Sequence, residues 1–341
     1  MSRPSPHLSP ADNNASITLH DTKEVAPQDS HGFSWALTCP VCGIEPSPLT
    51  IEYKGNGKPA TASCTSGHRF DAARQGHINL LTGRGTSFTP DSRDMVASRI
   101  QFLEAGHYEP IARTIREAIT KHASLDHTSD TKDRADHGSA PLVLDAGCGT
   151  GYYLAHAITG LGAGARGIGF DISPAAAQRA AHIDNVLALV WDVWRAWPIP
   201  THSADAILNV FAPRNWEEFD RALKPSGALI VVTPLPEHLA EIRDLAGLLA
   251  IQEGKQEHLL VDAARHGFRL VDEHSLKEAM LLEPQAVSAL AHMGPAGHHH
   301  SRDEIRARVE SEWDRHVPET AQTHSALQVT CNVMISAFKK Q

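Results

Sequence analysis

Apolar and polar residues change their rhythm several times along the chain. Residues 1–32 are rich in Ser, Pro, Asp and Asn and have no periodicity, which predicts a disordered leader. Over 33–85 short apolar pieces alternate with turn residues ("KGNGKP", "TSG"), the texture of a small ribbon that cannot bury enough surface alone. In "RDMVASRIQFLEAGHYEPIARTIREAITKHA", Met95, Ile100, Phe102, Leu103, Ile111, Ile115 and Ile119 fall near helical spacing, with a break at "AGHYEP". That predicts two connecting helices and a bend over 86–122. "SLDHTSDTKDRADHGSA" has no aromatic and almost no aliphatic residue, so 123–140 reads as a linker and a domain boundary. Over 141–341 the strand candidates "LVLDAG", "ARGIGFDIS", "NVLALVWDV", "ADAILNVF" and "GALIVVTP" alternate with Ala-rich or amphipathic stretches. Such alternation implies crossover units, a mostly parallel sheet and helices on both faces: an α/β domain. "ALQVTCNVMISAF" reads as a last strand, with Cys331 a small core hydrophobe.

Composition refines this picture. With 341 residues the chain suits two units, one of them small, and 41% hydrophobic with 21% charged residues is globular composition. A net charge of −9 excludes a protein that coats nucleic acid indiscriminately, since such binding needs many cationic contacts. The charge is uneven, however: residues 33–120 hold nine Lys+Arg against eight Asp+Glu, and 141–341 hold 17 against 24. A polyanion is expected to approach the first half. Apolar runs are short ("GALIVV"), which implies no membrane span, and five cysteines with no apolar signal core ahead of them fit a reducing cytoplasm.

Four of the chemistry-bearing residues sit in the ribbon. Cys39 and Cys42 are followed, after 21 intervening residues, by Cys64 and then His68, giving C-x2-C…C-x3-H. Two close pairs of soft donors supply a tetrahedral zinc site, and Gly43 and Gly67 let the backbone turn beside each pair. The alternative, four unrelated side chains, has to place all four by chance in one core-poor segment. Four protein ligands leave no open position, so one structural Zn2+ per chain is expected rather than a catalytic ion.

"LVLDAGCGTGYYLAHAI" reads as strand, then Asp145-x-Gly147-x-Gly149-x-Gly151, then helix, with Asp171 ("FDIS") ending the next strand where ribose hydroxyls would meet it. The nicotinamide fingerprint is G-x-G-x-x-G, whereas this loop is similar to the adenosyl-binding motif of class I S-adenosylmethionine methyltransferases. Cys148 reads as a filler, since no base is evident beside it. Asp192 ("LVWDVW") either faces an adenine edge or is a surface carboxylate. Trp191, Trp194 and Trp197 either pack or stack a flipped base, packing being favoured. "HHHS" at 298–301 reads as a solvated loop. "NVFAP" (Asn209–Pro213) follows the fourth strand, where a substrate-facing loop belongs, and lacks the N-P-P-Y pattern used on exocyclic amino groups.

Together, "CPVC…CTSGHRFDAARQGHINLL", "SRDMVASRIQFLEAGHYEPI", "DAGCGTGYY", "FDIS", "VFAP", "LKPSGALIVVTP" and "PEHLAEIRD" make the chain resemble the RlmA/TlrB family of 23S rRNA guanine-N1 methyltransferases. The resemblance runs from about residue 37 onward and weakens beyond residue 250. It implies a class I methyltransferase fold, Rossmann-like with a mostly parallel seven-stranded sheet, behind a small N-terminal zinc ribbon. It implies S-adenosyl-L-methionine and Zn2+ as cofactors and a 23S rRNA hairpin as partner, with either a housekeeping role or macrolide resistance as the outcome. It also implies cofactor contacts from Tyr108, Gly149, Thr150 and His238, beside Asp145, Gly147, Asp171 and Asp192. From the residues alone, Tyr108 as filler of a helix bend is favoured over a cofactor contact, and His238 serves equally as a helix cap or a solvated side chain.

The sequence departs from the family in a longer ribbon loop, in "GHINLL" with His77 for tyrosine, and in the extra leader. No general base is singled out; a carboxylate, a histidine or water would serve. Arg69, Arg74, Arg84, Arg93 and Arg99 are the expected RNA grip, against the alternative of a solvated mixed-charge face. A homodimer would let two ribbons hold one RNA. A small-molecule methyltransferase with a merely structural ribbon, or a non-catalytic RNA-binding protein, are the competing readings.

Overall fold

Turn-forming residues divide the ribbon segment into β1 (Thr50–Tyr53), β2 (Pro59–Ser63) and β3 (Arg69–Asp71), an antiparallel three-stranded sheet, and a two-residue strand, β4 (Ile78–Asn79). Gly43 and Gly67 adopt φ +69° and +86°. The computed structural model describes residues 34–43, 47–83, 85–123, 140–162, 164–248, 251, 254–316 and 326–341. The leader expected over 1–32 lies outside them, as does all but the ends of the linker expected over 123–140.

As its poverty in apolar residues requires, the ribbon has no separate core. Leu37, Leu49, Ile51, Ala62 and Phe70 are buried together with Ile168, Phe170, Leu189 and Trp197 of the following domain. The Trp35 indole N–H donates to Tyr53 Oη at 2.7 Å, and the Arg166 guanidinium lies 5.3 Å from the Trp35 ring centroid. The Thr38 amide donates to the Pro198 carbonyl at 3.0 Å.

The two connecting helices form where the periodicity predicts. α1 (Arg93–Glu104) starts at Ser92, whose hydroxyl accepts from the Met95 amide at 3.2 Å, satisfying one of the unpaired donors of its first turn. α2 (Glu109–His122) begins after the Gly106 turn with Pro110 in its first turn, where a missing N–H costs nothing. Its buried Ile111, Ile115 and Ile119 recur every four residues and face the main core.

The rest alternates: β5 (Leu142–Ala146), α3 (Tyr152–Gly160), β6 (Arg166–Asp171), α4 (Pro174–Ala180), β7 (Val186–Val190), β8 (Ala204–Val210), α5 (Trp216–Ala222), β9 (Leu223–Pro234), α6 (Arg243–Ala246), α7 (Lys255–Arg265), β10 (Phe268–Leu282), α8 (Pro284–His292), α9 (Arg302–His316) and β11 (Leu327–Lys340). The sheet runs β10-β11-β9-β8-β5-β6-β7-β4. All neighbours are parallel except β11, which is antiparallel to β9 and β10. Seven strands match the expected sheet; the eighth is β4, pairing Ile78 with Leu189 and Asn79 with Val190, so the ribbon segment extends the sheet at its β7 edge. β10 was not anticipated from the sequence. Strand order reverses at β5, which opens a crevice at the carboxyl ends of β5, β6 and β8. Among the described residues no helix is long and apolar enough to cross a membrane.

Candidate functional site

Two loops of the ribbon bring the four expected metal ligands together, all four donor atoms lying within 4.8 Å of one another. Cys42 and Cys64 Sγ are 3.7 Å apart, and His68 Nδ1 lies 3.6, 3.4 and 3.4 Å from the sulfurs of Cys39, Cys42 and Cys64. A tetrahedral ion with Zn–S of about 2.3 Å and Zn–N of about 2.0 Å has S···S edges of about 3.8 Å and S···N edges of about 3.5 Å. The donor set and its spacing therefore fit zinc, with His68 binding through Nδ1. No other such cluster occurs among the described residues.

The glycine loop lies between β5 and α3, its three glycines at φ +83°, +52° and +76°. Asp171, at the end of β6, holds this loop: its Oδ2 accepts from the Gly149 amide at 2.9 Å and its Oδ1 from the Ser173 amide at 2.8 Å. Burial raises its pKa, and those two amides with Arg99 partly offset the rise.

Asp145 is 1% exposed, and its Oδ2 has no hydrogen-bond partner among the described residues. Burial, then the charge of Asp171, pushes its pKa from 3.8 up to about 8. An orphaned buried carboxyl beside a glycine cradle suits a ligand that brings its own cation.

This has a consequence for stability. The folded chain keeps the Asp145 proton where the unfolded chain, titrating near 3.8, has released it. The associated stability is fully present below that pH and is lost as pH rises towards about 8. Asp145→Asn cannot ionise. It is expected to melt with the parent near pH ~4 and several degrees or more above it at pH ~8, in thermal melts without ligand. Coincident melting at the higher pH would mean the carboxylate is already paired.

Above the loop, Tyr108 Oη and His238 Nε2 are 3.2 Å apart, and the Asn332 amide donates to His238 Nδ1 at 3.1 Å. That bond leaves the imidazole proton on Nε2, which donates to Tyr108. Burial lowers the His238 pKa to about 4, so the ring is neutral. Tyr108, Asp145, Thr150, Phe211, His238 and Met293 line a cavity of about 350 Å3. A neighbouring cavity of similar volume, about 350 Å3, is lined by Phe88, Asp171, Asp192 and Trp194, and Arg99, Gly147 and Phe211 border both. Every expected cofactor contact thus lies on these two connected spaces.

Asp192 is buried rather than a surface carboxylate: Thr86 Oγ1 donates to it at 2.8 Å and the Trp194 amide at 3.0 Å. Trp191 and Trp197 pack in the core, but Trp194 does not. With Phe88 and Phe211 it forms an aromatic rim on the second cavity, Trp194 being 52%, Phe88 49% and Phe211 42% exposed. Phe211 ends "NVF" at φ +53°, a conformation a bulky side chain rarely takes, and its ring stacks against His238 at 6.1 Å.

The expected arginine grip does not hold as a set. Arg74 and Arg93 are exposed, Arg69 pairs with Glu52 and Asp71, Arg84 lies outside the described residues, and Arg99 turns inward over the glycine loop. Residues 298–300 stay partly or largely exposed and join no metal cluster. Cys148 and Cys331 are buried, and burial raises both thiols, Cys331 to about 12, as inert fillers require. The missed site residues Thr86, Phe88, Phe211 and Met293 carry no local motif apart from the flagged "NVFAP".

Two family models match the sequence, one described as "RlmA, N-terminal" over residues 37–83 and one as "Methyltransferase domain" over residues 143–227. A putative 23S rRNA (guanine-N(1)-)-methyltransferase of Micromonospora griseorubida is 37% identical over 275 residues, 80% of this chain and 90% of the relative. The 23S rRNA (guanine(748)-N(1))-methyltransferase of Streptomyces fradiae is 37% identical over 275 residues, 80% of this chain and 89% of its own length. The chain belongs to this 23S rRNA (guanine-N1)-methyltransferase family. A further putative member, YxjB of Bacillus subtilis (strain 168), is 34% identical over 187 residues, 53% of this chain and 60% of the relative. The fold is the class I S-adenosylmethionine methyltransferase fold with an N-terminal zinc ribbon, and the ribbon match includes the metal cluster and β4.

Proposed function

We propose that this protein transfers a methyl group from S-adenosylmethionine to N1 of a guanine in a hairpin of 23S rRNA, as a cytoplasmic enzyme. In this reading residues 33–85 recognise the RNA, 86–122 roof the cofactor and 141–341 carry the chemistry, while Cys39, Cys42, Cys64 and His68 hold one structural zinc. The observation that carries it is the aromatic rim of Phe88, Trp194 and Phe211, open to solvent and leading straight to the cavities that hold Asp145 and Asp171. Exposed aromatics beside a nucleotide-like cradle suit a base taken out of its stack.

When bound, the cofactor supplies an electrophilic methyl group on a sulfonium. Asp171 and Asp192 meet the adenosine end, Gly149 allows close approach of the loop, and Asp145 takes the ammonium of the amino-acid end. Tyr108, fixed by neutral His238, walls the cavity without adding charge. The chain's contribution to rate is alignment of the guanine ring nitrogen with the methyl carbon and exclusion of water. As N1 gains the methyl group it gives up its proton to solvent, which leaves the ring uncharged.

The test is incubation with S-adenosylmethionine and protein-free 23S rRNA, read by primer extension. A cofactor-dependent stop at the hairpin guanine corresponding to position 748, named for the Streptomyces fradiae relative, is the expected result. A stop elsewhere changes the site assignment, and methylation of small acceptors alone overturns the RNA reading. Macrolide resistance, which the resemblance suggests, is expected to accompany that stop in a susceptible host and to vanish with an inactive variant. A homodimer gripping one RNA is tested by sedimentation of the complex.

RNA retention is expected to fall steeply with salt, and Arg74→Glu with Arg84→Glu to weaken it roughly tenfold or more and flatten the salt dependence. Filter binding across a salt series checks this; an unchanged slope would remove Arg74 and Arg84 from the RNA contact.

A further inference from the structure

Arg99 stands out among the side chains of the site. It sits on α1, about fifty residues before the glycine loop, yet its guanidinium lies against that loop: a Cβ on Gly149 would be 3.0 Å from its Nη1. Its recorded bonds run through the other terminal nitrogen. Nη2 pairs with Asp91 Oδ2 at 2.7 Å and donates to the Met293 carbonyl at 2.7 Å. Asp91 is itself tied to the turn after β6, its carbonyl accepting from Ser173 Oγ at 2.8 Å, and His298 Nε2 approaches its Oδ1 at 3.5 Å. Nη1 has no hydrogen-bond partner among the described residues. Arg99 is thus a cation held from behind, with one edge of its planar fork turned towards the cavity that it shares with Asp145.

We propose that Arg99 anchors the α-carboxylate of the bound cofactor's amino-acid end, an assignment that rests on the function proposed above. An amino-acid end presents an ammonium and a carboxylate on neighbouring atoms, and one cavity here offers an unpaired acid, Asp145, and an incompletely paired arginine, Arg99. A guanidinium matches a carboxylate through parallel N–H donors, and here its orientation is set before the ligand arrives. An RNA phosphate is the competing anion. Arg99 is only 24% exposed and its free edge faces the loop, whereas Arg74 and Arg93 are on the outside.

The experiment is calorimetry on the full zinc-loaded chain with two ligands, S-adenosylhomocysteine and its decarboxylated analogue, which lacks only the carboxylate. The parent is expected to prefer the carboxylate-bearing ligand by roughly tenfold to hundredfold. Arg99→Gln is expected to lose that preference, its affinity for the decarboxylated ligand staying within about threefold of the parent's. Arg99→Lys keeps the charge but not the fork and is expected to retain part of the preference. Asp91→Asn, which keeps the arginine and loosens its support, is expected to reduce the preference without abolishing it.

Equal weakening of both ligands by Arg99→Gln, with a lowered melting temperature, would assign the side chain a structural role and overturn the proposal. Full preference in Arg99→Gln together with lost RNA retention would assign it to phosphate and also overturn it. If the parent binds neither ligand, the function proposed above fails first.

Discussion

Cys39→Ser with Cys42→Ser is expected to remove the zinc from the chain and to lower RNA methylation by more than hundredfold, while S-adenosylhomocysteine binding changes less than tenfold. The ribbon's apolar residues are shared with the following domain, so no independent core resists the loss of its staple. Structural zinc contributes on the order of 10 kcal/mol or more to small domains that fold around it, far beyond what three short strands supply. The crevice at β5 and β6 has its own supports, in the Asp171 bonds to Gly149 and Ser173. Metal analysis, calorimetry and rRNA methylation separate the two halves. Retention of one zinc per chain by the double variant would remove the tetrahedral assignment, and intact RNA methylation without zinc would remove the ribbon's role.

Asp171→Ala is the second large effect: cofactor affinity is expected to fall at least hundredfold, with zinc content unchanged. The carboxylate performs two tasks at once. It accepts from two backbone amides that set the loop, and in the proposed function its remaining lone pairs take the ribose hydroxyls. A hydrogen bond to a charged group is worth about 1.5–3 kcal/mol, so losing two ribose contacts alone predicts a hundredfold or greater loss. Asp171→Asn, which keeps one acceptor oxygen, is expected to be intermediate. Calorimetry giving an Asp171→Ala affinity within tenfold of the parent's would show that ribose is held elsewhere.

The parallel strands were legible because they are buried on both faces and read as near-continuous apolar runs, "LVLDA" and "AILNV" among them. β10 was not. Its fifteen residues include Arg269, Asp272, Glu273, Lys277 and Glu278, and "SLKEAMLL" is rich in helix formers. It is a strand because β11 pairs along nearly its whole length, while Phe268, Leu276, Met280 and Leu282 face inward.

The site divides along the same line. Asp145 to Gly151 and the two ligand pairs lie within single turns, where local spacing reports geometry directly. Thr86 with Asp192 and Arg99 with Met293 meet across separations of 106 and 194 residues, which only the folded chain supplies. The tryptophans spaced by three show the limit of periodicity: beyond the end of β7 no regular element fixes which way each ring turns, and the middle one faces outward.

β4 is short, but it lies along the outer edge of β7, whose sequence is Val-Leu-Ala-Leu-Val. A flat apolar strand left with unpaired amides and carbonyls is a template for sticking to other chains. Cells starved of metal would then be expected to accumulate this protein as insoluble inclusions, a solubility failure that mimics loss of expression and that a single charged residue introduced at that border would relieve.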